Sequence, residues 1–263
     1  MIDKEVMRNI AHNNTELLST CSLISMIITR ITELAKIDKT NTDHLLFYAL
    51  FYRIVNSFSS AKLLISNGYI QDAGTIIRSL LETLFVLKAC IDDNKYLETY
   101  KRTDATAVEN VYKRYLQYTT RLEANGELDD SNADRYLRLY QQELEKYKEA
   151  DRAKLNYCEA ASKASLQDMY DLLYPHLSTI NTHPSLRSLG GRLALDKDEN
   201  VAELRLGPEQ KNANWMLALL IQPMIVAIEC IAKKFHLGLE KDIASIFEKF
   251  CEEREKLPVR KID

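Results

Sequence analysis

Apolar residues recur every three or four positions through most of this chain, in long runs separated by short polar breaks, which is the pattern of amphipathic helices. Leu17, Leu18, Cys21, Ile24, Ile27, Ile28, Ile31 and Leu34 mark one face of a first long helix predicted over 3–36. The break KIDKTNTD offers Thr42 or Asp43 as the cap of a second helix over 44–66, and Asn67-Gly68 supplies its stop. A third helix over 69–92 follows so directly that the two must pair as an antiparallel hairpin. Near the C-terminus, 208–235 is apolar on nearly every side, with Pro208 in its first turn and a kink expected at Pro223. An amphipathic helix over 239–256 closes the chain.

Between these apolar helices the pattern changes. From 93 to 164 charged residues are dense and aliphatic ones thin, and nine of the fourteen tyrosines lie there. The break ANGELDDSN divides this stretch into two long helices, read as an arm with one Tyr/Leu stripe and a wide solvated face. The segment 166–191 holds Pro175, Pro184, His176 and His183, and reads as two brief helices with a kinked connector. Gly190-Gly191 and the polar LDKDENVAEL form the longest expected loop. The fold class is therefore all-α: one multi-helix domain over 1–263 carrying a charged, Tyr-rich helical hairpin arm. Seven Gly and five Pro are too few for many short strands.

Composition narrows the function classes. A formal net charge of −3 gives no global field for nucleic acid, although a local basic patch is compatible with it. Five scattered cysteines, never in C-x-x-C spacing, point to reduced thiols in a cytoplasmic protein. The run 215–232 is long enough to invite a membrane reading, but Gln222, Pro223 and Glu229 interrupt it. A central core helix of a soluble bundle is the better fit, and no membrane contact is expected.

Chemistry concentrates on the third helix. Thr75, Arg78, Ser79 and Glu82 share one face of an otherwise apolar helix. A charged pair on a central helix must be matched by partners or line a cavity. One reading is an internal Arg78–Glu82 pair that fixes helix register. The other has Arg78 binding an anion through its planar fork while Glu82 orients it or accepts a proton. Tyr174, Ser178, His183 and Arg187 join this site if the kinked segment folds over it, with His183 as acid/base and Arg187 as a second anion ligand. Phosphate-cradling loops, metal-spaced His/carboxylate motifs and nucleophile elbows are absent, so no metal or cofactor is expected.

The runs SSAKLLISNGYIQDAGTIIRSLLETLFVLKAC (59–90) and YDLLYPHLSTINTHPSLRSL (170–189) resemble the bacterial "domain of unknown function 5677" family. The resemblance places Gly68, Arg78, Glu82, Tyr174, Ser178 and His183 on that family's motif positions and implies a helical fold. Helical proteins of this look are similar to HEPN-type domains, many of them ribonucleases of toxin or phage-defence systems. Their R-x(4–6)-H signature is missing here. The favoured expectation is a non-enzymatic module binding a partner or small anionic ligand in bacterial stress response or phage defence, with a homodimer as a further expectation. The alternative is a metal-independent ribonuclease using His183 with Arg78 or Arg187.

Overall fold

The computed structural model describes residues 3–146, 152–182, 193–195, 197, 200–204 and 207–258. The first predicted helix is two: α1 (Lys4–Asn13) and α2 (Thr15–Leu34). They part at Asn14, whose buried side-chain amide donates to the Ile10 carbonyl at 2.9 Å. Asparagine competes locally with the helical ladder, and here φ falls to −127° and the axis breaks. α3 (Thr42–Ser66) is capped by Asn41, not by Thr42 or Asp43; its Oδ1 accepts from the amides of Asp43 and His44. Any residue of that polar run could serve, and Asn ranks above Thr as a cap.

Gly68 closes α3 as expected, with φ at +82°. It also seats a remote segment. A Cβ at Gly68 would lie 2.8 Å from both Pro208 Cβ and Val6 Cγ1, and the Gly68 carbonyl accepts from the Glu209 amide at 3.0 Å. Pro208 therefore belongs to a clamp over the α3 end and does not open a helix.

After Gly68 comes α4 (Ile70–Asp92), the centre of the molecule, then α5 (Asn94–Lys101), α6 (Thr103–Ala124) and α7 (Asp130–Lys146). The chain continues through α8 (Tyr157–Lys163), α9 (Gln167–Leu177) and a π turn over Ser178–Thr182. The last helices are α10 (Ala213–Lys234), entered through Asn212 at φ +67°, and α11 (Glu240–Glu255). α4 packs on α3, α10, α5, α8, α9 and the π turn, and α10 packs in addition on α2, α3 and α11. Phe51 and Phe58 of α3, Phe85 of α4 and Phe250 of α11 are fully buried where these helices meet. Each such side chain contributes about 1.5–3 kcal/mol by leaving water.

The arm is shorter than predicted. α5 and α8 pack on α4, burying Tyr96, Leu97, Ala160 and Ala161, so only α6 and α7 form the hairpin. Three buried alanines, Ala160, Ala161 and Ala164, let α8 approach α4 closely. The polar segment read as a loop contains a short antiparallel ribbon instead, β1 (Leu193–Leu195) with β2 (Val201–Leu204), bulged between Ala194 and Leu195. Pro175 lies inside α9, not at a break, and the π turn follows directly.

Two helices, Thr15–Leu34 and Ala213–Lys234, meet the length and composition of a membrane span. In α10, 78% of the most apolar stretch is buried within the fold, as a bundle's central helix should be. Pro223 sits within this helix without ending it.

Candidate functional site

The polar stripe of α4 faces α9 and the π turn. Nearest the helix start, Gly74 has no side chain because Asn181 occupies the space: an added Cβ would lie 2.3 Å from Asn181 Cγ. That close approach lets the Thr75 hydroxyl donate to the Asn181 carbonyl at 3.0 Å, and the Asn181 amide reach the Gln71 carbonyl at 3.4 Å. One turn on, Arg78 Nη2 lies 3.0 Å from Glu82 Oε1 and donates to the Tyr174 hydroxyl at 2.7 Å. The same hydroxyl donates to Glu82 Oε1 at 2.9 Å. The three groups form a closed triangle.

Aromatic rings wall this triangle. The Arg78 guanidinium lies 4.9 Å from the centre of the Tyr174 ring, an attractive cation–π placement. Tyr170 stacks on Tyr174 at 5.0 Å, Phe85 backs Tyr170 at 5.9 Å, and Tyr157 stands 6.5 Å from Tyr174. Burial pushes the Tyr174 hydroxyl's pKa up; Arg78 opposes this and Glu82 adds to it, with a net rise. The phenol is thus neutral at physiological pH, able to accept from the cation and donate to the anion together. For Arg78 burial works against the charge, but Tyr174 and Glu82 outweigh it and the net shift is upward.

Side chains of Arg78 and Glu82 retain 22% and 18% of their exposure, so the pair is half-buried and not sealed. Two buried polar atoms at this interface, Arg78 Nε and Asn181 Oδ1, have no hydrogen-bond partner among the described residues. On its other side Glu82 lines a cavity of about 100 Å³ together with Leu50, Arg53, Thr83, Val86, Tyr100, Leu155 and Tyr157. Burial raises the pKa of both Tyr100 and Tyr157, so their hydroxyls stay protonated. Among the described residues, neither hydroxyl nor the Arg53 guanidinium has a hydrogen bond or ion pair within the protein. Among the described residues, a larger concavity along α7 is lined by that helix alone, from Ser131 to Gln142.

Of the residues singled out in the sequence, Arg78, Glu82 and Tyr174 are brought together. Ser178 opens the π turn and bonds neither Arg78 nor Glu82 among the described residues. His183 and Arg187 lie outside the described residues. Sequence reasoning missed Gly74, Asn181, Arg53, Tyr100 and Tyr157. Gly74 carried a legible signal: a glycine inside a helix costs about 1 kcal/mol against alanine, so it marks a close approach. Arg53 carried none, since one arginine on a mixed helix face looks like any other.

The family of unknown function DUF5677 matches residues 44–201, which hold the whole triangle and the cavity beside it. The chain belongs to this family. Both resembling runs, 59–90 and 170–189, fall inside the match, so the DUF5677 region spans α3 to the first strand of the ribbon. No curated protein and no solved structure matches the chain. Among the described residues no group of three or more His, Cys, Asp or Glu is placed to hold a metal ion.

Proposed function

We propose that this DUF5677 protein is a non-enzymatic module that binds a small anionic molecule in the cavity beside Glu82. One observation carries the reading: Arg53 and the hydroxyls of Tyr100 and Tyr157 line a cavity and, among the described residues, make no hydrogen bond or ion pair. The charge of Glu82 is already answered by Arg78, so the uncompensated charge at the cavity is the Arg53 cation. A phosphate or carboxylate suits it, because a guanidinium fork matches two oxygens at once. Two neutral phenols add donors for the same oxygens, while Glu82 can accept from a ligand N–H or O–H. The five cysteines, all free, fit a reducing compartment such as the cytoplasm.

Isothermal titration calorimetry with inorganic phosphate, a mononucleotide and a short dicarboxylate tests the reading. Binding of at least one probe is expected, weakened at least tenfold by Arg53→Ala and less by Tyr157→Phe. Failure of every probe to bind, or equal binding by Arg53→Ala, would refute it. The ribonuclease alternative draws on His183 with Arg78 or Arg187; His183 and Arg187 lie outside the described residues, and the Nη2 of Arg78 is engaged by Glu82 and Tyr174.

A further inference from the structure

The α6–α7 hairpin is two-faced. Its helices meet through Ala105, Tyr112, Thr119 and Ala133, with Tyr112 and Tyr140 in ring contact at 6.1 Å. Val111, Tyr115 and Tyr118 follow one another at helical spacing along one flank of α6, about 100° off that seam. Tyr136 and Leu139 do the same on α7. For two antiparallel right-handed helices, flanks offset in the same rotational sense lie on the same side of the hairpin. The ring contacts agree: Tyr115 meets Tyr140 at 5.4 Å, and Tyr136 stacks on Tyr140. All five large apolar side chains that are exposed on the arm, between 41% and 53%, thus share one face. Lys113, Gln117, Thr120, Asp134 and Gln141 occupy the other.

Exposed tyrosines beside arginines invite a nucleic-acid reading, but charge opposes it: residues 103–146 hold nine acids against six bases. We infer that the apolar face of the arm docks on the same face of a second copy of this chain, turning two hairpins into an antiparallel four-helix bundle. Three half-exposed tyrosines leave roughly 100 Å² each, and with Val111 and Leu139 the apolar centre is about 400–500 Å² per copy. Single soluble chains seldom leave a larger contiguous patch uncovered. The face is about 30 Å long and two helices wide, so with its polar rim it supplies the roughly 800 Å² per partner of a standard interface. An isologous two-fold needs only self-complementarity.

Charge also sets the direction. The tip carries Glu123, Glu127, Asp129, Asp130 and Asp134, with no Lys or Arg between Arg121 and Arg135. A parallel arrangement would press two acidic tips together. The antiparallel one lays each tip on the mixed-charge base of its partner, where Lys101, Arg102, Lys146 and Arg152 lie.

Sedimentation equilibrium of the full chain tests this, with far-UV circular dichroism to confirm folding. The wild type is expected at twice the chain mass of 30.3 kDa. Tyr118→Glu and Leu139→Asp should each halve the measured mass at unchanged helicity, since every substitution enters the interface twice. Gln117→Glu, on the polar face, should leave the dimer intact. A wild type that stays monomeric at 100 µM (a concentration of ~10⁻⁴ M, above most specific dissociation constants) overturns the inference. So does a dimer that survives both substitutions, or a monomer that retains single-stranded RNA through Tyr118.

Discussion

Replacing Tyr174 by Phe deletes one oxygen and leaves the stack on Tyr170 in place, so it isolates what the hydroxyl does for the triangle. That oxygen accepts from Arg78 at 2.7 Å and donates to Glu82 at 2.9 Å. A hydrogen bond to a charged group contributes about 1.5–3 kcal/mol when well buried. Arg78 and Glu82 stay about a fifth exposed, and their direct contact at 3.0 Å survives the change. Water can also replace part of the loss, so the expected cost of both bonds together is about 1–2 kcal/mol. Glu82→Leu should cost more, about 2–4 kcal/mol, because it strands a half-buried guanidinium among aromatic rings.

Urea unfolding read by circular dichroism measures both. With a slope of roughly 2–3 kcal/mol/M, Tyr174→Phe should lower the midpoint by about 0.5 M without changing the slope. Joining Arg78→Met to Glu82→Leu should then recover stability relative to the sum of the singles, by about 1–2 kcal/mol, since neither charge is left alone. An unchanged midpoint for Tyr174→Phe would show that the hydroxyl bridges nothing. Strict additivity of the double variant would show that Arg78 and Glu82 do not hold each other.

Three further outcomes are expected. Gly74→Ala gains about 1 kcal/mol of helix propensity but drives a methyl into Asn181, so a net loss of about 1–2 kcal/mol in thermal unfolding is expected; a stabilised variant would mean that α4 and the π turn are not clamped there. Exposed Cys158 should react first with a disulfide reagent at pH 8, while Cys21, Cys90 and Cys230, whose thiols burial pushes up to about 12, wait for unfolding; peptide mapping that finds early label on Cys21 or Cys90 would contradict this. Asp129 is held at about 2, first by the Ser131 hydroxyl and then by the Asn132 amide at the start of α7. A depressed carboxyl stabilises fully above its unfolded value of 3.8 and loses that contribution as pH falls through about 2. The helicity lost in Asp129→Ala should therefore be constant down to about pH 4 and vanish near pH 2, and a difference that persists unchanged at pH 2 would assign it to something other than the carboxylate.

How much of this was legible depends on whether a feature is local. Helical periodicity, the Asn67-Gly68 stop and the polar face of α4 follow from spacing alone, and they put Arg78 and Glu82 on one face of that helix. Boundaries failed where polar residues competed for the backbone, at Asn14 and at Asn41. The fate of Pro208 was unreadable for another reason: its neighbours at Gly68 and Val6 are 140 and 202 positions away in sequence. Tyr157 was assigned to the arm because its charge-rich surroundings resemble the arm's. Only the small residues of α8, packed against α4, pull it into the wall of the site.

Tyrosine thus serves two purposes within one stretch of sequence, and the neighbours decide which. Tyr100 and Tyr157 are flanked by residues that bury against α4, and their rings enclose polar groups whose charges must be matched. Tyr115, Tyr118 and Tyr136 sit on a hairpin that stands off the main core, so their rings stay exposed and form the face proposed to dock on a second copy. The same contrast separates the arginines. Arg78 neighbours a carboxylate and a phenol on the buried side of α4, where its field is cancelled within about 3 Å. Arg53 lines the cavity from α3 and, among the described residues, pairs with no carboxylate, so its field reaches into the cavity. Arg78 and Glu82 hold each other, and by doing so they leave Arg53 as the charge that the proposed ligand would meet.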